Sequence, residues 1–160
     1  MELIVKKLIT ILLLSTALLL PRAAIARDVI ITAELKSYRG PGAYLAVYLT
    51  KPDGRYDSTL WIAGEKQKYY GHLRGWVRAV SRSGESVDGL TGASVGSGRT
   101  LNITANLSDA MIDAGYQIHV DTAVEDGGEH TNDAVVSLSK DNKGMTVGGR
   151  GFIRSLSVSM

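Results

Sequence analysis

The chain has 160 residues, with 18 basic side chains, 16 acidic side chains and no cysteine. The lack of cysteine excludes disulfides, thiolate metal sites, cysteine nucleophiles and lipoprotein acylation. The first 26 residues hold three of the basic residues and one of the acidic ones, so 15 of each sign remain in residues 27–160. This balance leaves no charge excess for binding nucleic acid or an anionic membrane surface.

The first 26 residues have the three parts of a secretory signal peptide. Lys6 and Lys7 form a positive start, residues 8–20 an apolar run, and Ala24-Ile25-Ala26 a cleavage site with small residues at −3 and −1. An uncleaved anchor is the alternative, but a spanning helix needs about 20 apolar residues. We therefore predict cleavage after Ala26, a location in the periplasm of a bacterial envelope, no stable membrane anchor after cleavage, and one domain over residues 27–160.

The mature chain is dominated by segments that predict β-strands, because they are rich in β-branched and aromatic residues and lie between turn signals. The predicted strands are residues 29–35, 43–50, 58–62, 99–105, 115–125, 134–139 and 152–158, with 145–147 as an extension. Turns are predicted at 51–54, 126–128 and 141–144. In 115–125 apolar and polar residues alternate, which is typical of a half-buried strand.

Residues 65–82 differ from the rest because their apolar residues fall on one helical face. These residues are Tyr69, Leu73, Trp76, Val77 and Val80. Gly71 and Gly75 weaken the predicted helix. The fold class is therefore predicted as all-β, an immunoglobulin-like antiparallel β-sandwich with one short helix. A barrel is the alternative.

Three catalytic or metal-binding patterns are weak in this sequence. His119 and His130 with a nearby carboxylate could form a zinc site, but no pair has close ligand spacing. Residues 92–96 spell G-x-S-x-G, although a nucleophile elbow needs a strand before it and a helix after it. Residues 93–100 lack the first Gly and the Lys of a phosphate-binding loop. We therefore expect no catalytic residue, no metal site and no enzymatic activity.

The segment from Asp88 to Ser94, Asp-Gly-Leu-Thr-Gly-Ala-Ser, resembles the motif D-x-x-[S/T]-G-A-[S/T] of covalent flavinylation. The resemblance implies that an FMN transferase of the ApbE type uses FAD and a metal ion to attach FMN, by a phosphoester, to Ser94. It also implies cofactor-binding roles for Asp88, Thr91, Gly92 and Ala93. The usual acceptor is Thr, so Ser94 is a departure that keeps the hydroxyl. The structural alternative is a turn in which Asp88 accepts backbone N–H groups.

Aromatic residues precede this motif and offer faces on which an isoalloxazine ring could stack. They are Trp61, Tyr69, Tyr70 and Trp76. Residues of this kind are also common in cores and on sheet surfaces, so the sequence selects none of them as a flavin contact.

Nearly all of the mature chain resembles the predicted periplasmic protein family, domain of unknown function 2271. The resemblance lies in residues 43–49, 60–62, 72–76, 88–94 and 125–130. It implies a periplasmic location and an immunoglobulin-like fold, and it implies no activity because the family name records none.

Two functional hypotheses follow. The first is a non-catalytic carrier that holds FMN on Ser94 and exchanges electrons with an envelope partner, after modification by an FMN transferase. The second is a cofactor-free binding or assembly module of the cell envelope. An enzyme acting on a small molecule ranks third, because no catalytic constellation is visible.

Overall fold

The computed structural model describes residues 25–85, 90–142 and 144–160. Within them, nine β-strands form two sheets. The strands are β1 (Ala26–Leu35), β2 (Tyr44–Thr50), β3 (Tyr56–Ala63), β4 (Thr91–Gly92), β5 (Thr100–Ser108), β6 (Gln117–Val124), β7 (Gly128–Ser137), β8 (Thr146–Val147) and β9 (Ile153–Ser159). The predicted signal peptide lies outside the described residues apart from its last two positions.

The strand order divides the domain into two layers. Sheet 1 has the order β5-β1-β9-β8, and sheet 2 has the order β4-β3-β2-β6-β7. Neighbouring strands run antiparallel except β3 and β4, which pair in parallel. The two sheets share one apolar core, so the predicted all-β sandwich is confirmed.

β1 shows how the sequence pattern produces the core between the sheets. Val29, Ile31, Ala33 and Leu35 alternate along the strand and are each at most 1% exposed. Because side chains point to opposite faces of a strand in turn, the intervening residues form the outer face of sheet 1. Burying alternate apolar side chains in this way supplies most of the driving force for forming the sandwich.

The predicted helix over residues 65–82 is two helices. A 3₁₀ helix spans Gln67–His72, and α1 spans Arg74–Val80. They are separated by Leu73, whose ψ of 64° lies outside the helical range. No helix in the described part of the chain is long and apolar enough to cross a membrane.

These two helices cover the outer face of sheet 2 and create a second apolar cluster there. Leu73 and Trp76 are buried against residues of β2, β3 and β6. The cluster consists of Tyr44, Ala46, Tyr48, Ile62, Tyr70, Leu73, Trp76 and Ala123. As a result, every residue of β2 is buried.

Asp121 of β6 fastens α1 to sheet 2. Its fully buried carboxylate accepts hydrogen bonds from the backbone N–H groups of Trp76 (2.7 Å) and Asn132 (2.8 Å). It also accepts one from the Tyr48 hydroxyl at 3.2 Å. A Cβ at Gly75 would lie 2.5 Å from Oδ2 of Asp121, so only glycine lets the helix approach this closely. The carboxylate therefore satisfies an N–H group that has no partner within the first turn of the helix.

The covering helices also explain why the alternation predicted for 115–125 is wrong in the second half of β6. Ile118 and Val120 face the inner core, as predicted. Asp121, Thr122 and Ala123 are all buried, so this half of the strand is covered on both faces.

Asp133 of β7 ties the turn before β9 to sheet 2. Its carboxylate accepts hydrogen bonds from the backbone N–H groups of Gly151 (2.6 Å), Phe152 (2.7 Å) and Ile153 (3.1 Å). It also accepts one from the Thr122 hydroxyl at 2.6 Å. This buried carboxylate links the two layers of the sandwich.

Candidate functional site

Residues 90–94, the described part of the motif that resembles a flavinylation sequence, lie at one end of sheet 2. Residues 83–98 are rich in Gly and Ser, which is typical of a loop, but Thr91–Gly92 forms the short strand β4 beside the end of β3. The N–H of Ile62 donates to the carbonyl of Leu90 at 2.8 Å, and the N–H of Gly64 donates to the carbonyl of Gly92 at 2.7 Å. These bonds fix the backbone on the N-terminal side of Ser94.

A second pair of hydrogen bonds fixes the backbone on the other side of Ser94. Ala43 and Val95 exchange N–H···O bonds of 2.7 and 2.9 Å in an isolated antiparallel bridge. Ala43 and Val95 both face the inner core. Since neighbouring residues point to opposite faces, the bridge directs Ser94 toward the outer face of sheet 2, where the helices lie.

Ser94 and Ala93 are exposed, and so is Thr91. The structure therefore presents the predicted acceptor hydroxyl on a backbone that is held from both sides. Asp88 and Gly89 lie outside the described residues, so the acidic position of the motif is a prediction from sequence.

Gly92 has a packing role that the sequence does not reveal. A Cβ at this position would lie 2.7 Å from Cζ2 of Trp61. Trp61 is half-buried and packs against the inner core. Glycine at this motif position is thus required by close contact with an indole ring, in addition to any access that a transferase would need.

A shallow groove of about 160 Å³ opens on the outer face of sheet 2, at the same end as Ser94. We call it the tyrosine groove; it is lined by Tyr44, Tyr69, His72, Ala123, Val124, Glu125 and Asp126. The rings of Tyr44 and Tyr69 lie with their centroids 5.5 Å apart at an angle of 55°. A side chain at Gly64 would collide with the ring of Tyr44. That glycine therefore allows Tyr44 to lie flat against the end of β3.

The tyrosine groove has charged groups of both signs around it. Burial, with Glu125 adding to it, raises the pKa of the Tyr44 hydroxyl, which donates to Oε1 of Glu125 at 3.3 Å. The ammonium groups of Lys66 and Lys68 lie 5.8 and 4.7 Å from the centroid of the Tyr69 ring. Carboxylates therefore line the groove, and two ammonium groups lie close to its Tyr69 ring.

His72 is held at the mouth of the tyrosine groove by Glu129 at the start of β7. Nδ1 of His72 lies 3.4 Å from Oε2 of Glu129. Nε of Arg74 lies 2.5 Å from Oε1 of the same carboxylate. Glu129 thereby joins the two helices to the edge of sheet 2 beside the groove.

The four aromatic residues named from the sequence occupy different places. Tyr69 lines the tyrosine groove. Trp76 is buried and donates from Nε1 to the Thr59 hydroxyl at 2.9 Å. Tyr70 is buried and its hydroxyl donates to the carbonyl of Gly64 at 2.8 Å. Trp61 packs on the inner core, so the structure brings Tyr69 alone of the four into this groove.

The two histidines considered for zinc are engaged elsewhere. Nδ1 of His119 lies 2.8 Å from Oδ1 of Asn132, and its Nε2 lies 3.0 Å from the Thr50 hydroxyl. His130 packs edge-on against Phe152. Over residues 25–85, 90–142 and 144–160, no group of three or more His, Cys, Asp or Glu side chains is arranged to hold a metal ion.

The esterase alternative at Ser94 lacks its structural context. The residues after Ser94 form the bridge to Ala43 and lead into β5, and no helix follows in the described residues 90–108. The strand-to-helix turn that a nucleophile elbow requires is therefore missing at this serine.

The sequence alone does not predict the tyrosine groove. Tyr69 and His72 are three residues apart, a spacing that puts both on one side of a helical segment. That spacing is a usable signal, but Tyr44 and Glu125 join them only through the pairing of β2 with β6.

The chain was compared with known proteins. No curated protein and no solved structure matches it. A family model described as predicted periplasmic protein (DUF2271) matches residues 26–155, from the first residue of β1 into β9. The chain therefore belongs to this family of periplasmic proteins, as its sequence resemblance implied.

Proposed function

We propose that this periplasmic domain is a covalent FMN carrier, with the cofactor joined by a phosphoester to Ser94, and that it performs no catalytic step of its own. The observation that carries the proposal is the exposed hydroxyl of Ser94, the last residue of a flavinylation-like motif, on a backbone that hydrogen bonds fix on both sides of Ser94. A transferase needs a hydroxyl that it can reach in a defined geometry.

The attachment step balances with FAD as the donor. The Oγ atom of Ser94 attacks the phosphorus of the FMN half, so an O–P bond forms and the pyrophosphate bond of FAD breaks. AMP leaves, and the hydroxyl proton passes to a base of the transferase. The domain contributes only its hydroxyl and the shape of its loop to this step.

The surroundings of Ser94 fit a phosphoester of this size. Ala93 is exposed beside Ser94, so the hydroxyl can carry a bulky group without displacing the core. Bound FMN supplies electron transfer, while the protein supplies attachment, orientation and electrostatic tuning. In the proposed role, the bound FMN exchanges electrons with a redox partner in the cell envelope.

The proposal is tested by the intact mass of the mature domain co-expressed in the periplasm with its own organism's FMN transferase. We expect the wild type to gain one FMN less a water. Ser94→Thr should keep this gain because a hydroxyl remains, and Ser94→Ala should abolish it. Thr104→Ala, which removes an exposed hydroxyl on β5, is the matched control and should keep the gain.

An unmodified wild-type mass under these conditions would contradict the carrier role. The cofactor-free binding module would then be the working hypothesis. Melting temperatures of the variants serve as the folding control, since Ser94 is exposed and its truncation should leave stability unchanged.

A further inference from the structure

We infer that the tyrosine groove is the seat of the isoalloxazine ring of the FMN carried on Ser94, with Tyr69 as the ring's packing partner. The inference rests on the proposed function and adds to it the place where the redox-active ring lies.

The first support is the short path from Ser94 to the groove. A Cβ built at Gly42 would lie 2.7 Å from Oγ of Ser94, so these two residues touch. Tyr44, which lines the groove, follows two residues later, a distance of about 7 Å along extended chain. The phosphate and ribityl chain of FMN bridge a gap of this size.

The second support is that Ser94 and the groove share one face of sheet 2. The Ala43–Val95 bridge sends Ser94 to the outer face, and Tyr44 belongs to the cluster on that same face. An FMN attached there reaches the groove without crossing the sheet. Trp61 lies on the inner side and is therefore a poor partner for the same ring.

The third support is the size of the groove. Pockets that bind free ligands usually measure about 300–1,000 Å³, whereas this groove measures about 160 Å³. A covalent tether raises the effective concentration of the ring at the groove to the order of millimolar, so little contact area is needed to hold it. A small groove beside an attachment point thus suits a tethered ring.

Larger grooves occur elsewhere in the described residues, but they are far from Ser94. One of about 260 Å³ lies on sheet 1 and includes Arg27, near the start of β1, and Val158. Two others lie by sheet 2: one of about 340 Å³ includes residues 54–56, and one of about 400 Å³ includes Asp113, Gly115 and Tyr116. The two grooves by sheet 2 lie at its other end, since β3 begins at Tyr56 and ends at Ala63 beside β4. The length of β3 puts them about 23 Å away.

The chemistry of the groove matches the edge of a flavin. The partly exposed Tyr69 supplies aromatic surface for the ring system, and the buried Tyr44 packs behind it. The carboxylates of Glu125 and Asp126 can accept a hydrogen bond from the ring N3–H, and His72 can donate to a ring carbonyl. This mixture of acceptors and donors around an aromatic wall suits a heteroaromatic ring better than an aliphatic or strongly charged ligand.

Tyr69 is tested by flavin fluorescence of the flavinylated domain, its FMN load confirmed by mass. A tyrosine in contact with isoalloxazine quenches its emission, so Tyr69→Leu should raise fluorescence per FMN several-fold. Tyr116→Leu is the matched control, because Tyr116 is also partly buried but lies at the opposite end of β6. Equal emission from the wild type and both variants would contradict the proposed position of the ring in the tyrosine groove, but it would not contradict the carrier role. No FMN gain in the wild type would overturn both.

A second measurement uses a variant that preserves shape. Glu125→Gln removes a negative charge beside the ring, and negative charge disfavours electron uptake, so the midpoint potential of bound FMN should become more positive. Asp141→Asn, in the exposed 3₁₀ helix Lys140–Asn142 distant from the groove, should leave the potential unchanged. A potential that does not respond to Glu125→Gln would contradict the proposed seat.

Discussion

The two sheets of this domain differ in what covers their outer faces. Sheet 1 presents polar pairs to solvent, such as Thr32 with Asn102 and Asp28 with Asn106. Sheet 2 carries a second apolar cluster beneath two helices. The exposed Ser94 and the tyrosine groove both stand at the end of the covered sheet. The comparison indicates that the helical cover does more than bury apolar surface, because it also builds one wall of the candidate site.

The largest expected effect comes from removing the Asp121 carboxylate, which connects α1 to sheet 2. Asp121→Ala leaves the buried N–H group of Trp76 and the partly buried N–H group of Asn132 without an acceptor, at about 1–3 kcal/mol for each group. The free energy of unfolding should therefore fall by about 2–5 kcal/mol. Thr32→Ala, which removes an exposed hydrogen bond on sheet 1, should change it by no more than about 0.5 kcal/mol. Urea denaturation of both variants measures the difference, and equal losses would contradict the comparison.

A smaller effect on stability is expected from substituting glycines in the two helices that cover sheet 2. Gly75→Ala should destabilise the domain by about 1–3 kcal/mol, because its Cβ would lie 2.5 Å from both Asp121 Oδ2 and Thr131 Cγ2. Gly71→Ala, three residues before α1, meets no atom within 4 Å and should be neutral or slightly stabilising. The same denaturation experiment distinguishes them. A stabilising Gly75→Ala would show that α1 does not lie this close to β6.

The smallest effect concerns the ion pair of Arg27 and Asp109 at the edge of sheet 1. Nε and Nη2 of Arg27 donate to the two carboxylate oxygens at 2.6 and 2.8 Å, and this hydrogen bonding lowers the pKa of Asp109. The contribution of the pair is therefore present above the unfolded pKa of about 3.9 and is lost as pH falls through the folded value.

Arg27→Gln should accordingly lower the melting temperature slightly near neutral pH and lose this effect in acid. Melting curves of both proteins at about pH 7 and about pH 2 measure it. Because both groups are partly exposed, the effect should also shrink in high salt. A difference that is equally large in acid would show that Arg27 acts by packing and not by its charge.

Much of the fold was predictable because its signals are local. The β-branched residues of 29–35 predict the strand β1, and the predicted turn at 51–54 is closed by a hydrogen bond from the N–H of Gly54 to the carbonyl of Lys51. The helical spacing of Leu73 and Trp76 identifies the face that packs on sheet 2. These patterns need no knowledge of which strands are neighbours.

The parts that sequence did not predict depend on contacts between distant segments. β4 exists because Thr91 and Gly92 pair with the end of β3, although the surrounding Gly- and Ser-rich residues 83–98 are typical of a loop. Asp121 looks like an exposed position in an alternating strand until α1 covers it. The tyrosine groove needs β2, β6 and the 3₁₀ helix together, so no single segment carries its pattern.

The central claim is that Ser94 carries FMN, and the most direct test is to locate the modification by mass spectrometry. Trypsin cuts after Arg82 and Arg99, so residues 83–99 form one peptide that contains the whole motif. From the mature domain exposed to its FMN transferase, we predict that this peptide carries one FMN and that fragmentation assigns it to Ser94. An unmodified peptide, or FMN on another hydroxyl of the domain, would contradict the account.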